Sequence, residues 1–401
     1  MENDLTRSPK PCPLCGSKKS IIFFETHGVP TSCNFLWKSK EEATNCPKGD
    51  IQLSYCPSCT YVENIAVDPQ KNQYDALYDN SLYYSQAFQK FAEGLVLETI
   101  QKFNLKNKTI LEITVGKVDF LSLFCDYGHN TGVKLNTFFV NAESNQMCNT
   151  AEKINPIAYD GLSSFEREKI DFVFCYSELE HVNFPKSFLT LLRKKIRLNP
   201  DASFFFSVPN ALKGFEEGNY LDIIYEHVSY FTIPSLLYLF NSCNYRVLDI
   251  SETKDFLNSI EVTASIQKQP KSGQQINSPS ELDKIKNVVL SFGKRSNSLI
   301  EKSSQQIRQQ LDHGRRTVVW GAGARGVTFL NILKDSRIEY AVDINPQKQG
   351  KYVPGTGQEI VEPKFLIKYQ PDCIVLLNPA YKNEIKQLVS NLGIETTFIQ
   401  L

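Results

Sequence analysis

The sequence has no excess of charge that would direct it to a charged partner. Its 401 residues contain 44 Lys and Arg and 44 Asp and Glu, so the formal net charge is +0 at pH 7. Proteins that bind nucleic acid or anionic membranes usually show a basic excess. The neutral balance therefore argues against both kinds of partner.

Long apolar runs are also missing. No stretch approaches the roughly 20 apolar residues that a helix needs to cross a bilayer. The first ten residues, MENDLTRSPK, have no apolar core of the kind found in secretory signals. Both absences predict a cytoplasmic protein without a membrane partner.

Glycine is scarce in one turn where several glycines are usual. The stretch ILEITVGKVDF at 110–120 is typical of a strand that enters a ligand-binding turn, and it contains only Gly116. Glycines in such turns let the backbone approach a ligand closely. A β-branched side chain at Thr114 is expected to crowd that approach, and Thr is poorly suited to a positive φ.

Cysteine, in contrast, is concentrated near the start of the chain. Six of the 11 cysteines lie in the first 59 residues, and four of them form the pairs CPLC at 12–15 and CPSC at 56–59. Two such pairs bring four thiolates to one tetrahedral zinc ion. We therefore assign Cys12, Cys15, Cys56 and Cys59 to a closed structural zinc site. Cys33 and Cys46 are competing ligands, and a redox CxxC pair is the alternative.

The order of patterns predicts three domains. Residues 1–75 have short strand-like runs and read as the small zinc-binding domain. Residues 76–266 alternate strands and helices, which predicts an α/β fold with a doubly wound, mostly parallel Rossmann-like sheet. A polar linker at 267–280 precedes a second, smaller Rossmann-like domain at 281–401.

A complete glycine fingerprint opens the last domain. GAGARG at 321–326 follows the strand TVVW and begins a helix, and Asp343 comes 22 residues after Gly321. By motif alone this turn suits a dinucleotide such as NAD, because a helix N-terminus and bare backbone favour a pyrophosphate. We instead assign Gly321, Gly323, Arg325 and Gly326 to substrate binding, because of the family resemblance described in the next paragraph.

Several stretches in one order resemble a known family. They include ELEHVNFP, YEHVSYFT, VVWGAGARGVTFLN and VDINPQKQGKYVPGTG, together with the cysteine pairs. In this order they are similar to the zinc-containing nucleotide-sugar C-methyltransferases, which join a zinc domain, an S-adenosylmethionine (SAM) domain and a C-terminal Rossmann-like domain. The resemblance implies that the last domain helps to hold the nucleotide-sugar, and it makes NAD unlikely.

The cofactor turn departs from that family. The usual pattern after the first strand is Glu-x-Gly-x-Gly-x-Gly, whereas this chain has Thr114 and Val118 at the outer glycine positions. Glu112, Gly116 and Asn136 are the remaining cofactor candidates, and Asn136 stands where similar enzymes have an acidic residue for the ribose. The chain is either a methyltransferase with a tolerant variant turn or a relative that has lost SAM.

Histidine is rare, and its placement indicates acid–base chemistry. Two of the five histidines lie in Glu180-His181 and Glu226-His227. The first pair follows a strand, at the sheet edge where ligands bind, and is assigned to the cofactor side. The resemblance places the second pair at the substrate and makes His227 the candidate base, with Glu226 beside it. Tyr225 and Tyr78 are candidate hydroxyl partners for an enolate oxygen, although core packing explains either tyrosine equally well.

These observations predict a SAM-dependent C-methyltransferase that acts on a small keto substrate such as a nucleotide-linked deoxysugar, as in natural-product biosynthesis. A substrate carried on another protein would leave the same sequence pattern. The alternatives are a SAM-independent acid–base enzyme on the same scaffold, which would isomerise, eliminate, condense or cyclise, and a non-catalytic ligand-binding relative.

Overall fold

We describe a computed structural model of the chain. It describes residues 6–71, 77–114, 120–136, 154–158, 169–195, 198–253, 258–266 and 278–401. Gly116 and Val118 of the glycine-poor turn lie outside the described residues, as does most of the predicted linker.

The N-terminal part is built on an antiparallel sheet. Its elements in chain order are β1 (Thr6–Arg7), β2 (Ile21–Pro30), α1 (Lys40–Thr44), β3 (Lys48–Tyr55) and β4 (Val62–Asn64). A capping box holds the start of α1, since the Ser39 hydroxyl accepts from the Glu42 amide and Glu42 reaches back to Ser39. Short strands joined by turns around the two CxxC pairs match the absence of a long helix predicted for this part.

The middle part contains a larger sheet with helices on both faces. Its elements are α2 (Gln86–Phe103), β5 (Thr109–Thr114), α3 (Phe120–Gly128), β6 (Thr131–Asn136), β7 (Ile154–Ala158), β8 (Ile170–Tyr176), α4 (Pro185–Lys195), β9 (Leu198–Pro209), α5 (Ala211–Glu217), β10 (Ser229–Tyr230), α6 (Ile233–Ser242), β11 (Tyr245–Glu252) and β12 (Ser259–Ile266).

The strand order of this sheet creates a ligand crevice. The order is β11-β12-β9-β8-β5-β6-β7, with β7, β6, β5, β8 and β9 parallel and the edge pair β12 and β11 antiparallel. After β5 the chain adds β6 and then β7 on one side of that strand. It then crosses over and adds β8 on the other side of β5. The carboxyl ends of β5 and β8 therefore flank a topological switch point, where open α/β sheets bind ligands.

Helix α2 shows why the helical pattern was readable from sequence. The Ser85 hydroxyl accepts from the Phe88 amide at its start, and Asn104 ends it in the left-handed conformation at φ 50°. Phe88, Ala92 and Val96 recur three to four residues apart and are fully buried against the sheet. The hydrophobic period, the N-terminal cap and the left-handed residue at the C-terminus thus all favour a helix between Ser85 and Asn104.

The C-terminal part is a second, smaller parallel sheet. Its elements are α7 (Pro279–Leu290), α8 (Phe292–Asp312), β13 (Thr317–Trp320), α9 (Ala324–Leu333), β14 (Tyr340–Val342), β15 (Glu359–Val361), α10 (Leu366–Tyr369), β16 (Cys373–Leu376), α11 (Lys382–Asn391) and β17 (Thr397–Gln400). The order β15-β14-β13-β16-β17 places another switch point between β13 and β16.

Three features tie the three parts together. Strand β10 pairs with β4, so two residues of the middle part complete the N-terminal sheet. Glu384 on α11 accepts from the Ser85 hydroxyl at 2.5 Å and from the Gln86 amide at 2.8 Å, which caps α2 from the C-terminal part. Asn345 donates to Asp79 at 2.9 Å.

The predicted fold class is confirmed. The protein is α/β, with a Rossmann-like middle sheet between an N-terminal sheet that carries the cysteine cluster and a C-terminal Rossmann-like sheet. Among the described residues, no helix combines the length and the apolarity needed to span a bilayer.

Candidate active site

The four predicted metal ligands come together at the N-terminal sheet. The Sγ atoms of Cys12, Cys15, Cys56 and Cys59 all lie within 4.8 Å of one another, with Cys12–Cys59 at 3.6 Å and Cys15–Cys56 at 3.5 Å. Tetrahedral zinc with Zn–S bonds of about 2.3 Å sets its sulfurs about 3.8 Å apart. Four thiols at this spacing fit a structural zinc ion with no open position.

The competing cysteines have other surroundings. Cys33 is buried, and its amide donates to Glu226 Oε2 at 2.9 Å. Burial, with the neighbouring Glu226, raises the pKa of the Cys33 thiol well above its usual range. Cys46 is buried near the backbone of Gly355. In the described part of the chain, neither thiol belongs to the four-sulfur group.

One cavity of about 370 Å³ lies at the carboxyl end of β8 in the middle sheet and at the carboxyl ends of β13, β14 and β16 in the C-terminal sheet. On one side it is lined by residues that follow β8, namely Ser177, Glu178, Glu180 and His181. On the other side it is lined by the turn after β13 and by residues that follow β14 and β16. His227 lines the same cavity. Both crevices therefore supply groups to a single site that includes the predicted base.

At the first crevice, Thr114 ends β5 and is buried, with its hydroxyl 3.4 Å from Glu178 Oε1. Its φ is not positive, so the residue carries none of the backbone strain that threonine would suffer in a left-handed turn. Asn136 is its register partner at the end of β6. Any crowding of a ligand by Thr114 must therefore come from the side chain alone.

Glu112 serves the start of helix α3. Its two carboxylate oxygens accept from the amides of Phe120 at 3.1 Å and Leu121 at 3.2 Å. A carboxylate at a helix N-terminus satisfies amides that have no partner within the helix and also complements the helix dipole. Glu112 thus fixes where α3 begins relative to β5.

The segment that carries His227 is held by all three parts of the protein. Tyr220, Leu221 and Ile224 are buried within the apolar core of the C-terminal sheet. Immediately after His227, strand β10 pairs with β4 of the N-terminal sheet. The base candidate therefore lies where the three parts meet, and the long-range pairing on each side of it restricts its motion.

The two Glu-His pairs, 46 residues apart in sequence, meet in space. The rings of His181 and His227 contact edge to face, with centroids 4.8 Å apart. Glu180 belongs to the same group, since its carboxylate and one nitrogen of each histidine lie within 4.8 Å of one another. A main-chain hydrogen bond from Val228 to the Glu180 carbonyl at 2.9 Å joins the two segments.

Burial controls the protonation of this group. It lowers the pKa of His227 to about 4, against an opposing effect of Asp222, and it lowers the pKa of His181 well below the usual value. It also raises the pKa of Glu180 to about 8, and one Glu180 oxygen, Oε2, has no hydrogen-bond partner. At neutral pH the site thus holds neutral imidazoles beside a largely protonated carboxyl.

Glu226 is buried behind the base rather than paired with it. Oε2 accepts from the Cys33 amide, and the Tyr78 hydroxyl also hydrogen-bonds to the carboxylate. Burial raises the pKa of Glu226, and these hydrogen bonds oppose the rise. Tyr78 itself lines the cavity and is 5% exposed, so its hydroxyl lies between the carboxylate and the site.

Tyr225 has different surroundings. Its ring lies so close to Gly49 that a Cβ on that glycine would fall 2.2 Å from a ring carbon. The hydroxyl accepts from the Asp68 amide at 2.7 Å. Tyr225 is absent from the residues that line the cavity, although its neighbours Ile224, Glu226 and His227 are present there. The turn closed by the hydrogen bond from the His227 amide to the Ile224 carbonyl sends this side chain into the N-terminal core.

The C-terminal glycines have separable roles. Gly321 has φ 102°, a conformation that side chains rarely adopt. A Cβ on Gly326 would lie 1.9 Å from the Gly321 carbonyl oxygen, so this glycine lets α9 pack on the turn. A Cβ on Gly323 would lie 3.8 Å from Asn34 Oδ1 and 3.8 Å from Lys348 Nζ, which is an ordinary contact distance. Asp343 accepts from the amides of Ala322 at 2.8 Å and Asn345 at 2.9 Å, so both of its oxygens already bind backbone.

Arg325 spans two parts of the protein. Its Nε and Nη2 donate to the two carboxylate oxygens of Asp222 at 2.7 and 2.9 Å, and Nη1 donates to the Leu377 carbonyl at 3.2 Å. Three of the five guanidinium N–H groups are therefore used within the protein. The remaining two are still available to a ligand in the cavity, which Arg325 lines.

Sequence reasoning missed Lys348. Its ammonium is 5% exposed, lines the cavity and donates to Asn34 Oδ1 at 2.9 Å and to the Ala322 carbonyl at 3.3 Å. The available signal was the NPQK turn directly after β14, at the carboxyl end of a parallel strand. Asn34 and Asp222 were also missed, because long-range pairing brings them to the site and no local pattern marks them.

Comparison with known proteins agrees with this architecture. Residues 83–250 match the model of a methyltransferase domain, and residues 263–399 match that of the C-methyltransferase C-terminal domain. The C-methyltransferase NovU of Streptomyces niveus is 26% identical over 212 residues, 49% of this chain and 50% of NovU. The match thus spans about half the length of this curated relative.

Solved structures resemble only part of the chain. A SAM-dependent methyltransferase from Clostridium acetobutylicum has 11% identity and a TM-score of 0.33, and the match covers 44% of this chain and 92% of that one. A 1,6-didemethyltoxoflavin N1-methyltransferase from Burkholderia thailandensis has 14% identity and a TM-score of 0.33, with 52% and 96% covered. Scores this low carry no argument about function. The chain thus carries a methyltransferase domain followed by a C-methyltransferase C-terminal domain.

Proposed function

We propose that this protein is a SAM-dependent C-methyltransferase that acts on a small keto substrate, with a nucleotide-linked deoxysugar as the leading candidate. The observation that carries the proposal is the single cavity shared by the crevice of a methyltransferase-type sheet, the neutral imidazole of His227 and the glycine turn of the second sheet. Methylation at carbon needs all three components within reach of one another.

The donor belongs at the first crevice. SAM, when bound, supplies the methyl group, and the carboxyl ends of β5 and β6 are the expected contact region. Thr114 and Asn136 end these strands in register. A threonine without positive φ, whose hydroxyl is turned toward Glu178, is compatible with a ligand beside it. These features support the proposal that SAM binds in spite of the variant turn.

His227 is suited to remove the proton next to the substrate carbonyl. Its low pKa keeps the imidazole neutral, so that it can accept a proton throughout the neutral range. The same low pKa makes it a weak base, and nearby negative charge has to stabilise the imidazolium that forms. The Asp222 charge acts in this direction.

The enolate oxygen needs a hydrogen-bond donor, and Glu180 is the best candidate in the cavity. Glu180, with its pKa raised to about 8, stays largely protonated and has an unpartnered oxygen. The Tyr78 hydroxyl lines the same cavity, but its one proton goes to the Glu226 carboxylate and would have to turn away from it to serve the enolate. A carboxyl kept neutral by burial is an effective donor to developing negative charge. Tyr225 is left out of this proposal, since its hydroxyl bonds to Asp68.

The acceptor substrate belongs against the C-terminal turn. The half-buried backbone of Gly323 on the cavity lining, the N-terminus of α9 and the Lys348 ammonium together favour a phosphate-bearing ligand. A nucleotide-linked sugar carries such phosphates on one end and a keto carbon on the other. Gly321, Gly326 and Arg325 shape and hold the turn.

A SAM-independent acid–base enzyme is the second candidate, because His227 and Glu180 would work without a methyl donor. Deprotonation of carbon followed by reprotonation would then give isomerisation, and loss of a leaving group would give elimination. The observation that favours it is the buried Thr114 side chain at the end of β5, at a position where the usual pattern has glycine.

One experiment separates the candidates. Purified protein is incubated with nucleotide-linked keto-deoxysugars in deuterium oxide, with and without SAM, and the products are weighed by mass spectrometry. The proposal expects a gain of one methyl group only with SAM. Conversion of the sugar without SAM would support the second candidate instead.

A further inference from the structure

We propose that the Asp222–Arg325 ion pair is a positioning device that fixes the imidazole of His227 and links it to the C-terminal domain. The inference rests on the proposed role of His227 as the base. Both residues act through another side chain, so they are positioning residues and not catalytic ones.

The geometry of the pair is unusually restrictive. Arg325 presents Nε and Nη2 to the two oxygens of one carboxylate at 2.7 and 2.9 Å, a two-pronged arrangement that fixes orientation as well as distance. Asn219 donates to the same carboxylate at 2.7 Å, and Leu377 accepts from Nη1 at 3.2 Å. The Asp222 side chain is therefore held from two sides, by its own loop and by α9.

Asp222 in turn lies on the same loop as the base, five residues before it, and both residues line the cavity. The charge and the main chain of Asp222 raise the pKa of His227 against the effect of burial. A loop that is held at Asp222 therefore holds His227 at the cavity, beside a negative charge that stabilises the imidazolium formed when the base takes a proton from substrate.

The apolar residues of the same loop do not orient the His227 ring in this way. Tyr220, Leu221 and Ile224 pack by apolar contact with Val327 and Leu330, which restrains the loop without orienting a ring nitrogen. The ion pair adds direction to this packing. It also couples the base to the first turn of α9, the turn proposed to meet the substrate.

Other ionisable groups surround His227 and must be considered in any titration. They are Glu180 and His181 from the turn after β8, Glu226 and Tyr230 on its own segment, Cys33 and Tyr78 from the N-terminal part, and Lys348 and Arg325 from the C-terminal part. Apart from Arg325, none of these groups is changed in the variants compared below, so each is present in all of them.

The test uses the intact protein with nitrogen-15-labelled histidine, without substrate. The His227 resonance is assigned by its loss in His227→Gln, and its titration is compared in Arg325→Gln and in Arg325→Gln combined with Asp222→Asn. Removal of the guanidinium leaves the Asp222 charge uncompensated, so the His227 titration is expected to move to higher pH by about one pH unit. The double variant is expected to cancel this rise.

A general loosening of the interface would not be cancelled by a second substitution, so an equal shift in both variants, or none in either, would overturn the proposal. If Arg325→Gln does not fold, Asp222→Asn alone is decisive, because it leaves no uncompensated carboxylate. It is expected to lower kcat by about tenfold to a hundredfold with KM for SAM unchanged. Wild-type kcat in folded Asp222→Asn would overturn the proposal. Failure of the proposed function appears separately, as an inactive wild-type protein.

Discussion

The imidazole rings of His181 and His227 meet edge to face with their centroids 4.8 Å apart. Two Glu-His pairs that are distant in sequence therefore form one buried group at the edge of the cavity. Only His227 also contacts Asp222 and is partly exposed to the cavity, whereas His181 is the more deeply buried of the two. This asymmetry makes His227 the better candidate for contact with substrate.

Replacement of His227 by Ala is expected to lower kcat by about a hundredfold or more, because a positioned general base contributes about this much. The melting temperature should change little, since the imidazole is at the cavity edge and not in an apolar core. Activity and melting are both measured. The matched control is His313→Ala, at the exposed end of α8. Full activity in His227→Ala would remove this residue from the mechanism.

The pH profile should reflect two shifted groups. The active form has neutral His227, which is lost below its pKa of about 4, and protonated Glu180, which is lost as the pH rises through its pKa of about 8. We expect kcat/KM to be flat in the neutral range and to fall on the alkaline side.

Glu180→Gln isolates the alkaline side of this profile. The amide keeps a hydrogen-bond donor but cannot ionise, so the fall above about pH 8 should disappear. The profile is measured between about pH 5 and pH 10. An alkaline fall that persists unchanged in Glu180→Gln would mean that another group titrates there.

One zinc ion per chain is expected by elemental analysis, and Cys12→Ser should lower the zinc content. Because Cys12, Cys56 and Cys59 pack in the same core cluster as Phe231 and Leu236 of the middle part, loss of metal should also lower the melting temperature. The control is Cys125→Ser, a half-buried thiol on α3, which should keep the metal. A well-folded purified protein without zinc would exclude the site.

Two glycine substitutions test whether Gly326 is needed for α9 to pack on the C-terminal turn. In Gly326→Ala the new Cβ meets the Gly321 carbonyl oxygen at 1.9 Å, so we expect the free energy of unfolding to fall by about 1–3 kcal/mol. Gly94→Ala is the matched control within α2, where the new methyl has open space. It should raise the same quantity by about 1 kcal/mol. Denaturant unfolding measures both, and equal effects would contradict the packing role.

The sequence predicted the elements better than it predicted the site. Period, capping and turn residues act locally, so α2, the alternating strands and the turn at Gly321 were readable. The CxxC pairs were equally informative, because metal ligation needs a fixed spacing. The fold class followed from these local signals, whereas the family came from the resemblance of several motifs that occur in one order.

What the sequence could not predict depends on contacts between distant segments. Lys348 and Asn34 meet across 314 positions, and Arg325 meets Asp222 across 103. Cys33 resembled a spare metal ligand, yet its neighbour is Glu226, 193 positions away. Such pairings follow from domain packing, for which a single sequence carries no periodic or spaced signal.

The central claim is that the first crevice accepts SAM although Thr114 stands where a glycine is usual. Because the φ of Thr114 is not positive, only its side chain can interfere, and Thr114→Gly should tighten binding by no more than about tenfold. The direct measurement is titration calorimetry of the purified wild-type protein with SAM. We predict single-site binding with a Kd of roughly tens of micromolar. The absence of any binding heat at about 1 mM SAM would contradict the account and leave His227 to a different reaction.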